Sequence, residues 1–144
     1  MPTQVDFYLL GDSEPRAALR TACRLAEKAC DQGLKVVVRT DSSAAAAQFD
    51  DLLWTFSDRS FVPHCVWPGD PAVVAATPVL VASTSGPDTH RDVLINLARR
   101  AADDGASFER VLEIVAADEE SKQLARSRWR AYAQAGLEPK SHNL

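Results

Sequence analysis

The runs VDFYLL (5–10) and LKVVVRT (34–40) are short, apolar and rich in β-branched or aromatic residues, the composition of buried strands. Between them, RAALRTACRLAEKACDQG (16–33) places Ala18, Leu19, Ala22, Cys23, Leu25, Ala26, Ala29 and Cys30 at helical spacing. A strand, a long helix and a second strand cannot close as a hairpin. They require a crossover, hence parallel pairing with right-handed connectivity. This single unit commits the chain to an α/β fold whose sheet is mostly parallel and flanked by helices.

The rest of the chain continues the alternation. Ser13 is a suitable N-cap for the first helix, with Pro15 in its first turn and Gly33 as its stop. Asp41 or Ser42 can cap the next helix, SAAAAQFDDLLWTF (43–56), anchored by Phe49, Leu52, Leu53 and Phe56. SDRSFVPHCVWPGDP (57–71) reads as an aromatic-rich loop, and TPVLVAS (77–83) as a strand. DVLINLA (92–98) favours a strand over a helix, and FERVLEIVAA (108–117) alternates as a strand does. A final helix starts near Asp118, with Glu119 and Glu120 at its positive end and arginines later. Gly136 ends it, leaving 137–144 as a frayed tail. The 144 residues fit one domain.

Composition narrows the function. A hydrophobic share of 46% and a charged share of 25% are ordinary for a soluble globular domain. The net charge of −4 argues against a nucleic-acid binder. No apolar run reaches the ~18 residues of a membrane span, and MPTQVDFYLLGD lacks the pattern of a signal peptide. Cys23, Cys30 and Cys65 show no CxxC spacing, so neither a metal nor a disulfide framework is expected. Cys23 and Cys30 read as core thiols. The expected setting is cytoplasmic and reducing.

Catalytic signals are faint. None of the six glycines forms GxGxxG or GxxxxGK[ST], and Gly11 alone after the first strand reads as an ordinary turn. His64 and Cys65 are adjacent, so on a strand they diverge to opposite faces. His90 could partner Cys65 only through the fold, and a surface histidine is the simpler expectation. The carboxylate pairs Asp50-Asp51 and Asp103-Asp104 diverge by about 100° on a helix and read as solvated faces and ends. No cofactor is expected. The alternative of a small nucleotide-binding or hydrolytic α/β enzyme stays open at this level.

The C-terminal helix is less ordinary. Lys122, Arg126, Trp129 and Ala133 fall within about one sixth of its circumference. Leu124, Ala131 and Ala135 lie nearly opposite and are expected to pack on the sheet. Arg128 falls inside that apolar sector and must snorkel or find an acceptor. Three readings remain: a core tryptophan with solvated cations, a dock for an acidic peptide with an apolar anchor, or nucleic-acid contact by stacking.

FYLL (7–10), LWTFSDRSFVPH (53–64), RDVLINL (91–97) and SKQLARSRWRAY (121–132) together resemble the chi subunit family of bacterial DNA polymerase III holoenzyme. The four segments run in that family's order across most of the chain. The resemblance implies a Rossmann-like, three-layer α/β fold without nucleotide chemistry. It implies a non-catalytic adaptor in the clamp-loader assembly, paired with the psi subunit. It also implies a site for the acidic C-terminal tail of single-stranded DNA-binding protein, which ends in Pro-Phe with a free carboxylate. By the motif, Lys122 and Arg126 would meet the tail's carboxylates. Trp129, where the family more often has tyrosine, and Val115 would line the phenylalanine pocket. Phe61 would be central to psi binding, with Trp54, Phe56 and Val62 as further positions. The resemblance implies that this second surface can also engage a helicase-like protein, and that contact with DNA is indirect.

Overall fold

The computed structural model describes residues 3–144. Seven strands form one sheet: β1 (Gln4–Leu9), β2 (Val36–Arg39), β3 (His64–Val66), β4 (Val79–Ala82), β5 (Val93–Asn96), β6 (Arg110–Val115) and β7 (Glu138–Asn143). Their spatial order is β3-β4-β2-β5-β6-β1-β7, and every pair is parallel. The helices are α1 (Pro15–Asp31), α2 (Ser43–Thr55), the short α3 (Pro71–Ala76) and α4 (Glu119–Gln134).

The two faces of the sheet carry separate cores. On one, α1 and α2 contribute Ala22, Cys23, Ala26, Phe49 and Leu53 against Val36, Val38, Val81 and Ile95. On the other, α4 contributes Ala125 and Tyr132 against Val5, Phe7, Leu94, Val111 and Val115. Strands covered on both faces explain the unbroken apolar runs in VVV (36–38) and VLI (93–95). The result is the three-layer arrangement that the resemblance implied, with the parallel pairing expected from the first βαβ unit.

Four local expectations need correction. The first concerns 57–71: His64–Val66 forms β3 at the sheet edge, and Asp70 caps α3 through Ala72 N–H at 2.9 Å. The second concerns the tail. Residues 138–143 pair in register with Gln4–Leu9. The sequence EPKSHN has no strand signature; the open edge of β1 imposes the conformation. His142 Nε2 lies 2.8 Å from Asp6 Oδ1, and Leu144 N–H donates to the Leu9 carbonyl.

The third concerns the first helix, which is capped at Glu14 rather than Ser13 and without a side-chain cap bond. Asp12 Oδ1 accepts from the Glu14 N–H and shapes the turn instead. Other caps follow expectation: Ser42 accepts from Ala45 N–H, Asp118 from Ser121 N–H, and Gly33 and Gly136 take positive φ after their helices.

The fourth concerns α4, whose buried face is Ala125, Arg128 and Tyr132, while Ala131 and Ala135 are exposed. This face is turned by about 70° from the Leu124–Ala131–Ala135 sector. The turn follows from what Arg128 and Tyr132 bind.

Candidate functional site

Glu113, on β6, is fully buried and accepts three hydrogen bonds. Arg128 Nε donates to Oε1 at 2.8 Å, while Tyr132 Oη at 2.6 Å and Asn96 Nδ2 at 2.8 Å donate to Oε2. The Ala102 N–H closes the network on the Tyr132 hydroxyl. Burial pushes the Glu113 carboxyl above the usual range, opposed by the charge of Arg128 and by the three donors. Burial and the Glu113 charge also push the Tyr132 phenol up. Among the described residues no buried side-chain polar atom lacks a partner. Arg128 therefore does find an acceptor, and the network sets α4's rotation by polar satisfaction rather than by apolarity alone.

That rotation carries Trp129 to the border of the buried face. Its ring packs on Phe7 with centroids 5.1 Å apart, and Phe7 in turn meets Tyr132 edge-on at 6.0 Å. The indole is half-buried, one side on the core and the other lining a cavity of about 270 Å³. Phe7, Leu9, Val115 and Ala125 form its apolar wall, and Lys122 and Arg126 stand at it from α4. Both cations are exposed. Arg126 has only a long contact with Glu119, at 3.8 Å between exposed side chains. An exposed pair of this kind is worth little, so both charges remain available. All four residues expected at this site, Lys122, Arg126, Trp129 and Val115, meet in one cavity. Sequence reasoning missed Phe7 and Leu9, whose alternation on β1 puts them on α4's face, and Ser141, which depends on β7.

The second expected surface is divided. Phe61 is 71% exposed and Trp54 53% exposed, with ring centroids 5.9 Å apart. Trp54 also packs on His64 in a tilted pair, with centroids 4.4 Å apart. Phe56 is half-buried against the α1–α2 core. Val62 is 1% exposed and is itself core, so it fixes the loop rather than offering surface. In the segment just before β3, Phe61 is turned out to solvent and the next residue, Val62, into the core. Val66 and Val73, on β3 and α3, are further exposed apolar residues.

Other candidates resolve as structure. His64 and His90 are both buried, so His90 is not the surface histidine expected. The His64 ring nitrogens face the carbonyls of Val62 and Asp50 at 2.6 and 3.0 Å. Those of His90 face Thr89 Oγ1 and the Thr77 carbonyl, leaving none for Cys65. Asp104 is no solvated end: it binds Arg39 at 2.6 Å and Arg91 at 3.1 Å. Burial works to raise its pKa, but the hydrogen bond and charge of Arg39 outweigh it and hold the carboxyl below its ordinary value. Cys23 is a core thiol, pushed up to about 12 by burial, whereas Cys30 is only partly buried. A Cβ on Gly11 would meet nothing within 4 Å, so no close approach requires glycine there. No helix is long and apolar enough to cross a membrane, and no three potential metal ligands cluster, among the described residues.

Comparison with known proteins assigns the family. The family model described as "DNA polymerase III chi subunit, HolC" matches residues 1–140. The chain is 37% identical over 142 residues to a protein named DNA polymerase III subunit chi from Pseudomonas aeruginosa, covering 99% of this chain and 97% of that one. It is 31% identical over 136 residues to the protein of the same name from Escherichia coli, covering 91% of each. Among solved structures, the C-terminal domain of the DEAD-box protein Dbp5 superposes with a TM-score of 0.57 at 11% identity, covering 98% of this chain and 89% of that one. That likeness concerns the α/β fold alone. With the family match spanning nearly the whole sequence, the chain belongs to the DNA polymerase III chi subunit family.

Proposed function

We propose that this chain is an accessory, non-catalytic subunit of the replication machinery, with two protein-binding faces. The pocket beside α4 takes the acidic C-terminal tail of single-stranded DNA-binding protein. The Phe61–Trp54 surface takes the psi subunit, and so ties the chain to the clamp loader. The working place of such an adaptor is the cytoplasm, and its contact with DNA is made through the coated strand.

The observation that carries this reading is the cavity itself. An apolar recess is walled by Trp129, Phe7 and Val115, with two available cations at Lys122 and Arg126. A terminal phenylalanine side chain fits such a recess, and its carboxylate and neighbouring acids suit the cations. Without the aromatic end the cations would hold an acidic peptide only weakly, because exposed pairs are screened.

Calorimetric titration with a synthetic acidic peptide ending in Pro-Phe tests the reading. Replacing Arg126 with Ala removes a charge-assisted contact and should weaken binding by about 1.5–3 kcal/mol, roughly 10- to 150-fold. Unchanged affinity would remove Arg126 from the site and with it the proposed tail dock.

A further inference from the structure

Arg16, Arg20, Arg24 and Lys28 follow one another every four residues along α1, and all four are exposed. Successive members are offset by only about 40°, so they form one ridge about 18 Å long. Like charges at this spacing destabilise a helix. Within the described residues none of the four forms an ion pair. The nearest acids in sequence, Asp12, Glu14, Glu27 and Asp31, leave the ridge unpaired. A protein of net −4 thus keeps four cations in line on one helix, none of them in an ion pair among the described residues.

The ridge adjoins the aromatic pocket. A groove of about 290 Å³ is lined by Arg16, Arg20 and Arg24 together with Leu10, Leu144 and the carboxylates of Asp12 and Glu14. Leu10 also lines the pocket under Trp129, so groove and pocket meet at the carboxyl end of β1. The two helices lie on opposite faces of the sheet. A chain leaving the pocket past Lys122 would cross the sheet's end at Leu10 and reach the head of the ridge.

We propose that the α1 ridge is a second contact for the acidic polypeptide whose aromatic end the pocket holds, engaging carboxylates upstream of that end. This rests on the pocket reading above. An extended chain covers 18 Å in about five or six residues. Nucleic acid is the weaker occupant: none of the exposed large apolar side chains, Trp54, Phe61, Val66, Val73 and Leu144, lies on α1. The ridge therefore offers no stacking platform.

Two synthetic peptides with the same Pro-Phe end separate the contacts: a short one filling the pocket, and a long one extended upstream by roughly ten mostly acidic residues. Each is titrated into wild type, Arg20→Glu/Arg24→Glu, Arg20→Gln/Arg24→Gln and Arg126→Ala. At low salt the long peptide should bind wild type about three- to tenfold more tightly than the short one, as expected for two or three exposed charge pairs. Both ridge variants should lose that advantage while binding the short peptide as wild type does. Equal affinities of the two peptides for wild type, or an advantage that survives in both ridge variants, would overturn the proposal. So would a ridge variant that loses retention of bare oligo(dT) while the long-peptide advantage is unchanged, which would assign the ridge to nucleic acid. Failure of the pocket reading looks different: Arg126→Ala would then leave short-peptide binding unchanged, or the short peptide would not bind wild type at all and the ridge proposal would fall with it.

Discussion

Arg128→Met tests the network that orients α4. Arg128 and Glu113 are 8% and 0% exposed at the side chain, with Nε to Oε1 at 2.8 Å. Removing one partner of a buried pair leaves the other uncompensated and costs about 3–5 kcal/mol. In a domain of this size that lowers Tm by roughly 10–20 °C. Protonation of Glu113 relieves part of the loss, and this gives the effect a pH signature. Burial holds the Glu113 pKa above its unfolded value of 4.5, and loss of Arg128 raises it further. A carboxyl whose folded pKa is raised binds more protons folded than unfolded between the two values. Stability of the variant should therefore fall as pH rises above about 4.5, more steeply than in wild type. Adding Glu113→Gln should recover part of the stability and flatten that slope, because Gln still accepts from Tyr132. Urea denaturation at a series of pH values reads both quantities. A loss below about 1 kcal/mol, or a variant with no added pH slope, would refute the claim that this pair sets the helix rotation.

Two further predictions concern surfaces. Phe61→Ala should abolish co-purification with psi and leave the urea midpoint unchanged, since the ring is 71% exposed. Val62→Ala, one residue on but 1% exposed, should instead cost about 1–2 kcal/mol of stability through lost burial. Removing residues 138–144 should cost roughly 2–3 kcal/mol, because Asp6 loses His142 and the β1 edge loses its ladder. A truncated chain as stable as the full one would return those residues to the status of a frayed tail.

The main plan of the fold was legible because it rests on composition and period. VVV (36–38) and VLI (93–95) announce doubly covered strands, and Ser42, Asp118 and Gly136 announce helix ends through their own chemistry. Three features were not legible, each because the cause lies elsewhere in the chain. EPKSHN is a strand only because β1 leaves an edge open. His90 was expected at the surface, yet Thr89 Oγ1 and the Thr77 carbonyl give it buried partners. The face of α4 was misjudged because apolar spacing favoured Leu124, Ala131 and Ala135, whereas Glu113 on another element captures Arg128 and Tyr132. The candidate pocket was half legible. The helical stripe gave Lys122, Arg126 and Trp129, and family resemblance gave Val115. Phe7 and Leu9 required the β1–α4 packing.

The most direct measurement is the indole N–H resonance of Trp129, assigned by Trp129→Phe and followed by heteronuclear NMR during titration with the acidic peptide. A peptide ending in Pro-Phe should shift that resonance progressively, while the same peptide lacking its final phenylalanine should leave it nearly in place. If the complete peptide binds and the Trp129 signal does not move, the anchor sits elsewhere and the pocket beside α4 is not the receptor.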